Sequence, residues 1–141
     1  MIVVDTNIIS EALKQAPDRR VIDWFDNQPI QTLYLSAVTV AELKTGIEQL
    51  PAGKRKDVLK GNIEERILPL FANRVLPFDV ECTERYAQCI ATAKSIGRGL
   101  GTADAMIAAT ALSHGYAIAT RDTDLCGIAE LTVINPWHEA S

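Results

Sequence analysis

The sequence lacks the features that mark membrane and exported proteins. It contains no apolar run of the roughly 18 residues that a membrane-spanning helix needs. The N-terminus, MIVVDTN, has no basic stretch ahead of its apolar residues and reaches an acid at position 5, which is not typical of a signal peptide. We therefore expect a cytoplasmic protein without a membrane partner.

Cysteine and histidine are also scarce. The three cysteines, Cys82, Cys89 and Cys126, are odd in number and include no CxxC pair, which argues against a disulfide framework. We expect all three to be reduced and structural. The two histidines, His114 and His138, are too few and too far apart in sequence for a histidine-rich metal site.

An excess of positive charge is missing as well. The formal net charge is −4, which argues weakly against direct binding to nucleic acid and especially against direct binding to DNA. Four basic residues nevertheless cluster on one segment: Lys54, Arg55, Lys56 and Lys60. The cluster is either a solvated helix face or a surface that faces RNA, and both interpretations remain open.

The apolar pattern that is present predicts an α/β domain spanning residues 1–141. Short apolar runs predict strands at 2–4, 33–36, 75–78, 116–119 and 131–134. Helical periodicity predicts helices at 19–27, 39–50, 54–71, 80–96 and 103–113, the last of them central because it is apolar nearly all round. Pro77 restricts the third strand to a sheet edge. This alternation favours a mainly parallel central sheet with helices on both faces.

Four acids fall where such a sheet would gather them. Asp5 and Asp122 follow predicted strands, whereas Glu42 and Asp104 lie in the first turns of predicted helices. All four positions belong to the carboxyl edge of a parallel sheet, where ligands bind. Converging carboxylates repel one another unless a cation lies between them, and hard oxygen donors select Mg²⁺ or Mn²⁺. Such an ion can activate water and stabilise a reacting phosphoryl group.

Each acid also has a purely structural interpretation. Thr39 and Glu42 have the spacing of a helix capping box, in which the glutamate bonds to a backbone N–H. Asp104 could complement a helix dipole. Asp122 could be a turn residue, and Asp124 competes with it for the place in the site. From spacing alone, capping is the better explanation for Glu42.

Longer segments carry a family resemblance. In order along the chain these are MIVVDTNIISE, YLSAVTVAELKTGI, TADAMIAATALSHG, IATRDTD and VINPW. With this order and spacing the chain resembles PIN-domain ribonucleases, specifically the VapC/FitB-type toxins of bacterial toxin–antitoxin pairs. The resemblance implies a PIN-like, Rossmann-like three-layer sandwich.

The resemblance also implies site residues. The family's four acids correspond in order to Asp5, Glu42, Asp104 and Asp122. Asn7 matches the polar residue that orients the first acid, and Thr120 matches the hydroxyl residue that precedes the fourth. Many relatives have TRN where this chain has TRDTDLCG, so Asp124 remains an alternative fourth acid.

The function implied is that of a Mg²⁺-dependent endoribonuclease, with Mn²⁺ as a possible substitute, acting on single-stranded or structured RNA. Asp5 and Asp104 would hold the ion most directly. The implied partners are a second copy of the chain and a VapB- or FitA-like antitoxin, through which alone the toxin would reach DNA. Two alternatives remain: a non-enzymatic co-repressor, and a metal-dependent phosphatase-like domain, although one such class would need an acid where this chain has Asn7.

Overall fold

A five-stranded, all-parallel sheet lies at the centre of the molecule, in a computed structural model that describes residues 1–138. The strands are β1 (Ile2–Val4), β2 (Leu33–Ser36), β3 (Val75–Leu76), β4 (Ala117–Ala119) and β5 (Val133–Ile134). Their order across the sheet is β3-β2-β1-β4-β5. Ile2 of the central strand pairs with Leu33 on one side and with Ala117 on the other.

Helices connect and cover these strands. They are α1 (Thr6–Ala12), α2 (Arg19–Asp26), α3 (Ala37–Glu48), α4 (Lys54–Asn62), α5 (Leu68–Leu70), α6 (Thr83–Ser95) and α7 (Thr102–His114). A π-helical segment, Ile63–Ile67, joins α4 to α5. None of the helices within residues 1–138 combines the length and apolar character that a bilayer crossing requires.

Apolar cores lie on both faces of the sheet. Because side chains alternate along a strand, Val4 packs into a core that includes α1, α2 and α3, whereas Val3 packs into a core that includes α6 and α7. Cys82 and Cys89 are buried free thiols. The prediction of an α/β sandwich with helices on both faces is confirmed.

Several predicted elements are confirmed with altered bounds. β3 is an edge strand, as Pro77 predicts, and α7 is buried on most sides. The third predicted helix is interrupted by the π-helical segment, and the last three strands are shorter than predicted. α1 was not predicted, and the expectation that Cys126 is structural is wrong, because this free cysteine is exposed.

The connections reverse direction at the middle of the sheet. From β1 the chain adds β2 and β3 on one side and then returns to add β4 and β5 on the other. The switch point therefore lies between β1 and β4, where Asp5 N–H donates to the Ala119 carbonyl at 2.9 Å. In open α/β sheets a crevice forms beyond the carboxyl ends of the strands at this point.

Candidate functional site

Asp5 lies at the bottom of this crevice, where β1 ends and α1 begins. It is the N-cap of α1, and its side chain accepts from Thr6 N–H at 2.7 Å. The other carboxylate oxygen accepts from the Thr120 hydroxyl at 2.8 Å and from the Asn7 amide at 3.3 Å. Asp5 is only 3% exposed. Burial raises the pKa of Asp5, although the hydrogen bonds from Thr120 and Thr6 oppose this rise.

Thr120 and Asn7 form a network around Asp5. The Thr120 hydroxyl oxygen accepts from the Asn7 amide at 3.0 Å and from Asp122 N–H at 3.0 Å. The side-chain oxygen Oδ1 of Asn7 accepts from Arg121 N–H at 3.4 Å. The ends of β1 and β4 are thus linked through side chains, which restricts the orientation of the Asp5 carboxylate.

Glu42 reaches the crevice from α3. Its carboxylate accepts from the Thr6 hydroxyl at 2.5 Å, and the Thr6 oxygen lies 3.2 Å from the Thr39 hydroxyl. The cap of α3 is Ser36, whose side chain accepts from Val38 N–H. The capping-box interpretation is therefore wrong. It requires Thr39 as the N-cap and Val40 as the first helical residue, whereas the helix begins three residues earlier, at Ala37. Glu42 consequently lies beyond the first turn, contrary to prediction.

Asp104 lies in the first turn of α7, as predicted. Its pKa is raised to about 6, first by burial, then by the negative charges of Asp122 and Asp5, a hydrogen bond with Asp122, and the charge of Glu42. The negative charges of the other three predicted acids therefore all raise the pKa of Asp104. Four segments that are distant in sequence place their carboxylates in one electrostatic environment.

Asp122 and Asp124 occupy different surroundings. Asp122 accepts from Asp124 N–H at 2.9 Å and caps the short 3₁₀ turn Thr123–Leu125. It therefore does serve as a turn residue, but its charge also raises the pKa of Asp5 and Asp104. Asp124 is exposed, and it is not among the charges that raise the pKa of Asp5 or of Asp104. The geometry favours Asp122 as the fourth acid.

A cavity of about 370 Å³ opens above these acids. Its lining comprises three of the predicted acids, side chains of α1 and of the residues that follow it, and one arginine: Asp5, Thr6, Asn7, Ser10, Glu11, Lys14, Glu42, Asp104 and Arg121. Sequence reasoning missed Thr6, Ser10, Glu11, Lys14 and Arg121. The i, i+4 spacing from Asn7 to Glu11, which puts both residues on one face of α1, was the available signal for Glu11.

The basic cluster borders a neighbouring groove. Lys54, Arg55 and Lys60 are exposed on α4, which buries none of its side chains, and the Lys56 ammonium donates to the Glu48 carbonyl at 3.1 Å. Arg55 lines a groove of about 310 Å³ that also includes Thr6 and Glu42. The cluster is solvated, and one member lies beside the acidic cavity.

The donor chemistry of the cavity suits a hard divalent cation. Carboxylate, hydroxyl and amide oxygens are the ligands that Mg²⁺ and Mn²⁺ prefer. Within residues 1–138, no three histidine, cysteine, aspartate or glutamate side chains are already arranged around one point as a metal-ligand set. The acids therefore suit such an ion because they are oxygen donors and because their negative charges act on one another. In the described residues they are not already arranged as a metal-binding cage.

The fold and the acidic crevice define a class of protein. A sequence profile of the PIN domain matches residues 2–131. The chain belongs to the PIN-domain family.

Particular relatives match almost end to end. Plasmid stability protein StbB of Pseudomonas syringae pv. tomato is 53% identical over 138 residues, which cover 98% of this chain and 99% of the relative. VapC ribonuclease Y4jK of Sinorhizobium fredii is 52% identical over 140 residues, covering 99% and 100%. Toxin FitB of Neisseria gonorrhoeae is 48% identical over 139 residues, also covering 99% and 100%.

Solved structures have the same fold. The structure of FitAB bound to an IR36 DNA fragment contains a chain with 47% identity and a TM-score of 0.93, with 100% of this chain and 99% of that chain covered. VapBC2 from Rickettsia felis bound to a promoter DNA fragment has a TM-score of 0.76 at 23% identity, covering 96% and 98%. At that identity the likeness concerns the fold alone.

Proposed function

We propose that this chain is a Mg²⁺-dependent endoribonuclease, with Mn²⁺ as a substitute ion, that acts as the toxin of a toxin–antitoxin pair. The observation that carries the proposal is the meeting of Asp5, Glu42, Asp104 and Asp122 at the switch point of the sheet, where each of the other three acids raises the pKa of Asp104. The names ribonuclease and toxin among relatives that match end to end support it.

In this proposal Asp5 and Asp104 hold the ion, while Glu42 and Asp122 complete the shell directly or through water. When bound, the ion supplies a Lewis acid that activates water for attack on a phosphodiester. The protein's own contribution is orientation. Thr120 and Asn7 fix the Asp5 carboxylate, and the Thr6 hydroxyl holds Glu42 against α1.

The proposed partners follow from the relatives and from charge. FitAB and VapBC2 are complexes bound to DNA, and we infer a VapB- or FitA-like antitoxin for this chain, with a homodimer inside a larger assembly. The net charge of −4 disfavours direct DNA binding, so DNA would be reached through the antitoxin. A co-repressor role within such a complex is compatible with ribonuclease activity.

The test compares two glutamates on the same helix. Glu42→Gln removes a charge from the cavity, whereas Glu48→Gln removes one from the exposed far end of α3. We expect Glu42→Gln to lower cleavage of single-stranded RNA in Mg²⁺ by about 10- to 100-fold, since loss of a group that supports a metal shell usually costs that much. Glu48→Gln should cleave at the wild-type rate.

Two further measurements complete this experiment. A chelator should abolish cleavage by the wild type, and Mg²⁺ or Mn²⁺ should restore it. The melting temperature of each variant is measured on the same sample, so that loss of folding is not mistaken for loss of activity. Cleavage by Glu42→Gln within about twofold of wild type would remove Glu42 from the site.

A further inference from the structure

Arg121 lies at the boundary between two cavities. It lines the acidic cavity together with Asp5 and Asp104, and it also lines a second cavity of about 320 Å³. The second cavity lies beyond the ends of β4 and β5, and its lining includes Asp122, the one predicted acid that does not line the first cavity, together with Asn135 and His138. Its volume is at the lower end of the range of small-ligand sites, about 300–1,000 Å³.

The Arg121 side chain is held in place by an aromatic ring. Its guanidinium carbon lies 4.3 Å from the centroid of the Trp137 ring, and Trp137 is only 5% exposed. The Trp137 backbone N–H donates to the Asn135 side chain at 2.9 Å, which fixes the turn that carries the ring. Stacking on a fixed ring pre-orients an arginine and leaves the edge of its planar guanidinium available for hydrogen bonds.

Arg121 forms no salt bridge with another residue in the part of the chain that the structure describes. Within residues 1–138, the salt bridges join other groups, and Arg121 affects Asp18 only through the longer-range lowering of its pKa. An arginine that lines the same cavity as several carboxylates, yet forms a salt bridge with none of them in the described residues, is suited to an anion that arrives with the substrate. A guanidinium matches the oxygens of a phosphate in a bidentate fashion.

We propose that Arg121 is a substrate-binding residue that contacts the phosphate next to the scissile one and directs the RNA from the acidic cavity into the second cavity. This inference rests on the proposed ribonuclease function. Its physical basis is repulsion: an RNA strand laid across four acids brings one negative charge per nucleotide, and the crevice needs a cation away from the reacting phosphate to offset that charge.

The experiment compares substrates that differ in the number of phosphates. One is a single-stranded RNA oligonucleotide, and the other is a dinucleoside monophosphate, whose one phosphate is the scissile one. For Arg121→Gln we expect KM on the oligonucleotide to rise roughly tenfold with kcat within about twofold, as for the loss of one charge-assisted hydrogen bond. On the dinucleoside monophosphate, wild type and Arg121→Gln should behave alike.

Arg85→Gln is the charge-matched control. Arg85 pairs with Glu130 at 3.2 Å. Glu130 precedes β5 and so lies toward the amino ends of the strands, whereas the site lies at their carboxyl ends. This variant should keep the wild-type KM. Arg121→Lys should recover part of the affinity, because it keeps the charge but not the bidentate geometry.

A binding measurement separates this inference from the proposed function. In an Asp5→Asn background, which removes cleavage, the Kd of a labelled oligonucleotide should rise roughly tenfold when Arg121→Gln is added, and the dependence of log Kd on log salt should fall by about 0.7. An unchanged Kd, or equal impairment on both substrates, would overturn the role of Arg121 while wild-type cleavage still stands. Absence of RNA cleavage by the wild type would overturn the proposed function and this inference together.

Discussion

The hydroxyl of Thr120 joins three parts of the crevice. It donates to the Asp5 carboxylate, and its oxygen accepts from the Asn7 side chain and from Asp122 N–H. Thr120 is fully buried at the end of β4. One oxygen atom therefore couples the orientation of the first acid to the position of the fourth.

Replacing this hydroxyl should cost stability. Thr120→Val leaves the buried Asp5 carboxylate short of a donor, and we expect the free energy of unfolding to fall by about 1–3 kcal/mol. Thr120→Ser keeps the hydroxyl and serves as the matched variant, with a smaller loss from the missing methyl group. Urea unfolding of both proteins measures the difference. Equal stability of the two variants would show that the hydroxyl contributes little.

Asp104 should make the metal-free protein less stable as pH rises. Its folded pKa of about 6 exceeds the ordinary value of 3.8, so between these values the folded state binds more protons than the unfolded state. Stability associated with this group is therefore present at pH 4 and lost by about pH 7. The size of this loss is at most about 3 kcal/mol before solvent screening reduces it.

Asp104→Asn tests that dependence, because the amide cannot ionise. In a chelating buffer the variant should melt at a higher temperature than wild type at pH 7.5, and the gap should close near pH 4.5. Calorimetry at the two pH values measures both differences. A gap of the same size at both would assign the effect to packing rather than to charge.

At this scale the sequence predicted the acids better than their surroundings. Asp5 was recognisable because a charge directly after a β-branched strand needs partners. Arg121 and Lys14 were not, since nothing in their spacing connects them to the acids. The contact between Thr6 and Glu42 spans 36 positions and depends on how α1 packs against α3, which periodicity does not report.

At the scale of elements, the junction of β1 and α1 carries the site. Asp5 directly follows the last residue of β1 and is the N-cap of α1. Only this one residue therefore separates the buried strand from the helix. The seven-residue helix has too few turns for its periodicity to be recognised beside the strand, which is why it was not predicted. The long elements, α6 and α7, were predicted almost to their ends.

Two substitutions of Asp5 should separate its cap from its charge. Asp5→Asn keeps an oxygen that can accept from Thr6 N–H, whereas Asp5→Ala removes it. We expect Asp5→Ala to be less stable than Asp5→Asn by about 1 kcal/mol, the usual cost of losing a cap. Both variants should be inactive on RNA. Chemical unfolding and a cleavage assay on the same preparations measure the two effects, and an active Asp5→Asn would show that the charge is dispensable.

For the whole molecule, the architecture of a parallel sheet with helices on both faces was predictable because strand and helix patterns alternate along the chain. The order of strands across the sheet was not, because it depends on which helices pack on which face. The strand and helix pattern already placed residues 5, 42, 104 and 122 at the carboxyl edge of the sheet, and the resemblance to the PIN family implied the same grouping.

The proposed function predicts toxicity in living cells. Expression of this chain alone should stop bacterial growth, since a free ribonuclease degrades RNA that the cell needs, and Asp5→Asn should relieve the arrest at matched soluble expression. Glu48→Gln, on the exposed face of α3, should arrest growth as wild type does. Growth curves after induction, with immunoblots for protein amount, provide the measurement. Equal harmlessness of wild type and Asp5→Asn would contradict a toxin role.

The strand order also has a consequence for how the protein is made. Because β4 follows β2 and β3 in the chain but lies beside β1 in the sheet, the β4 side of the crevice is translated after the β2 side. Asp5 and Glu42 belong to segments that are translated before β4, whereas Asp122 follows it. Nascent chains stalled earlier, and products of premature stop codons upstream of β4, contain the first acid but not the assembled site. A fragment that stops before β4 therefore carries Asp5 without the Thr120 hydroxyl that orients it.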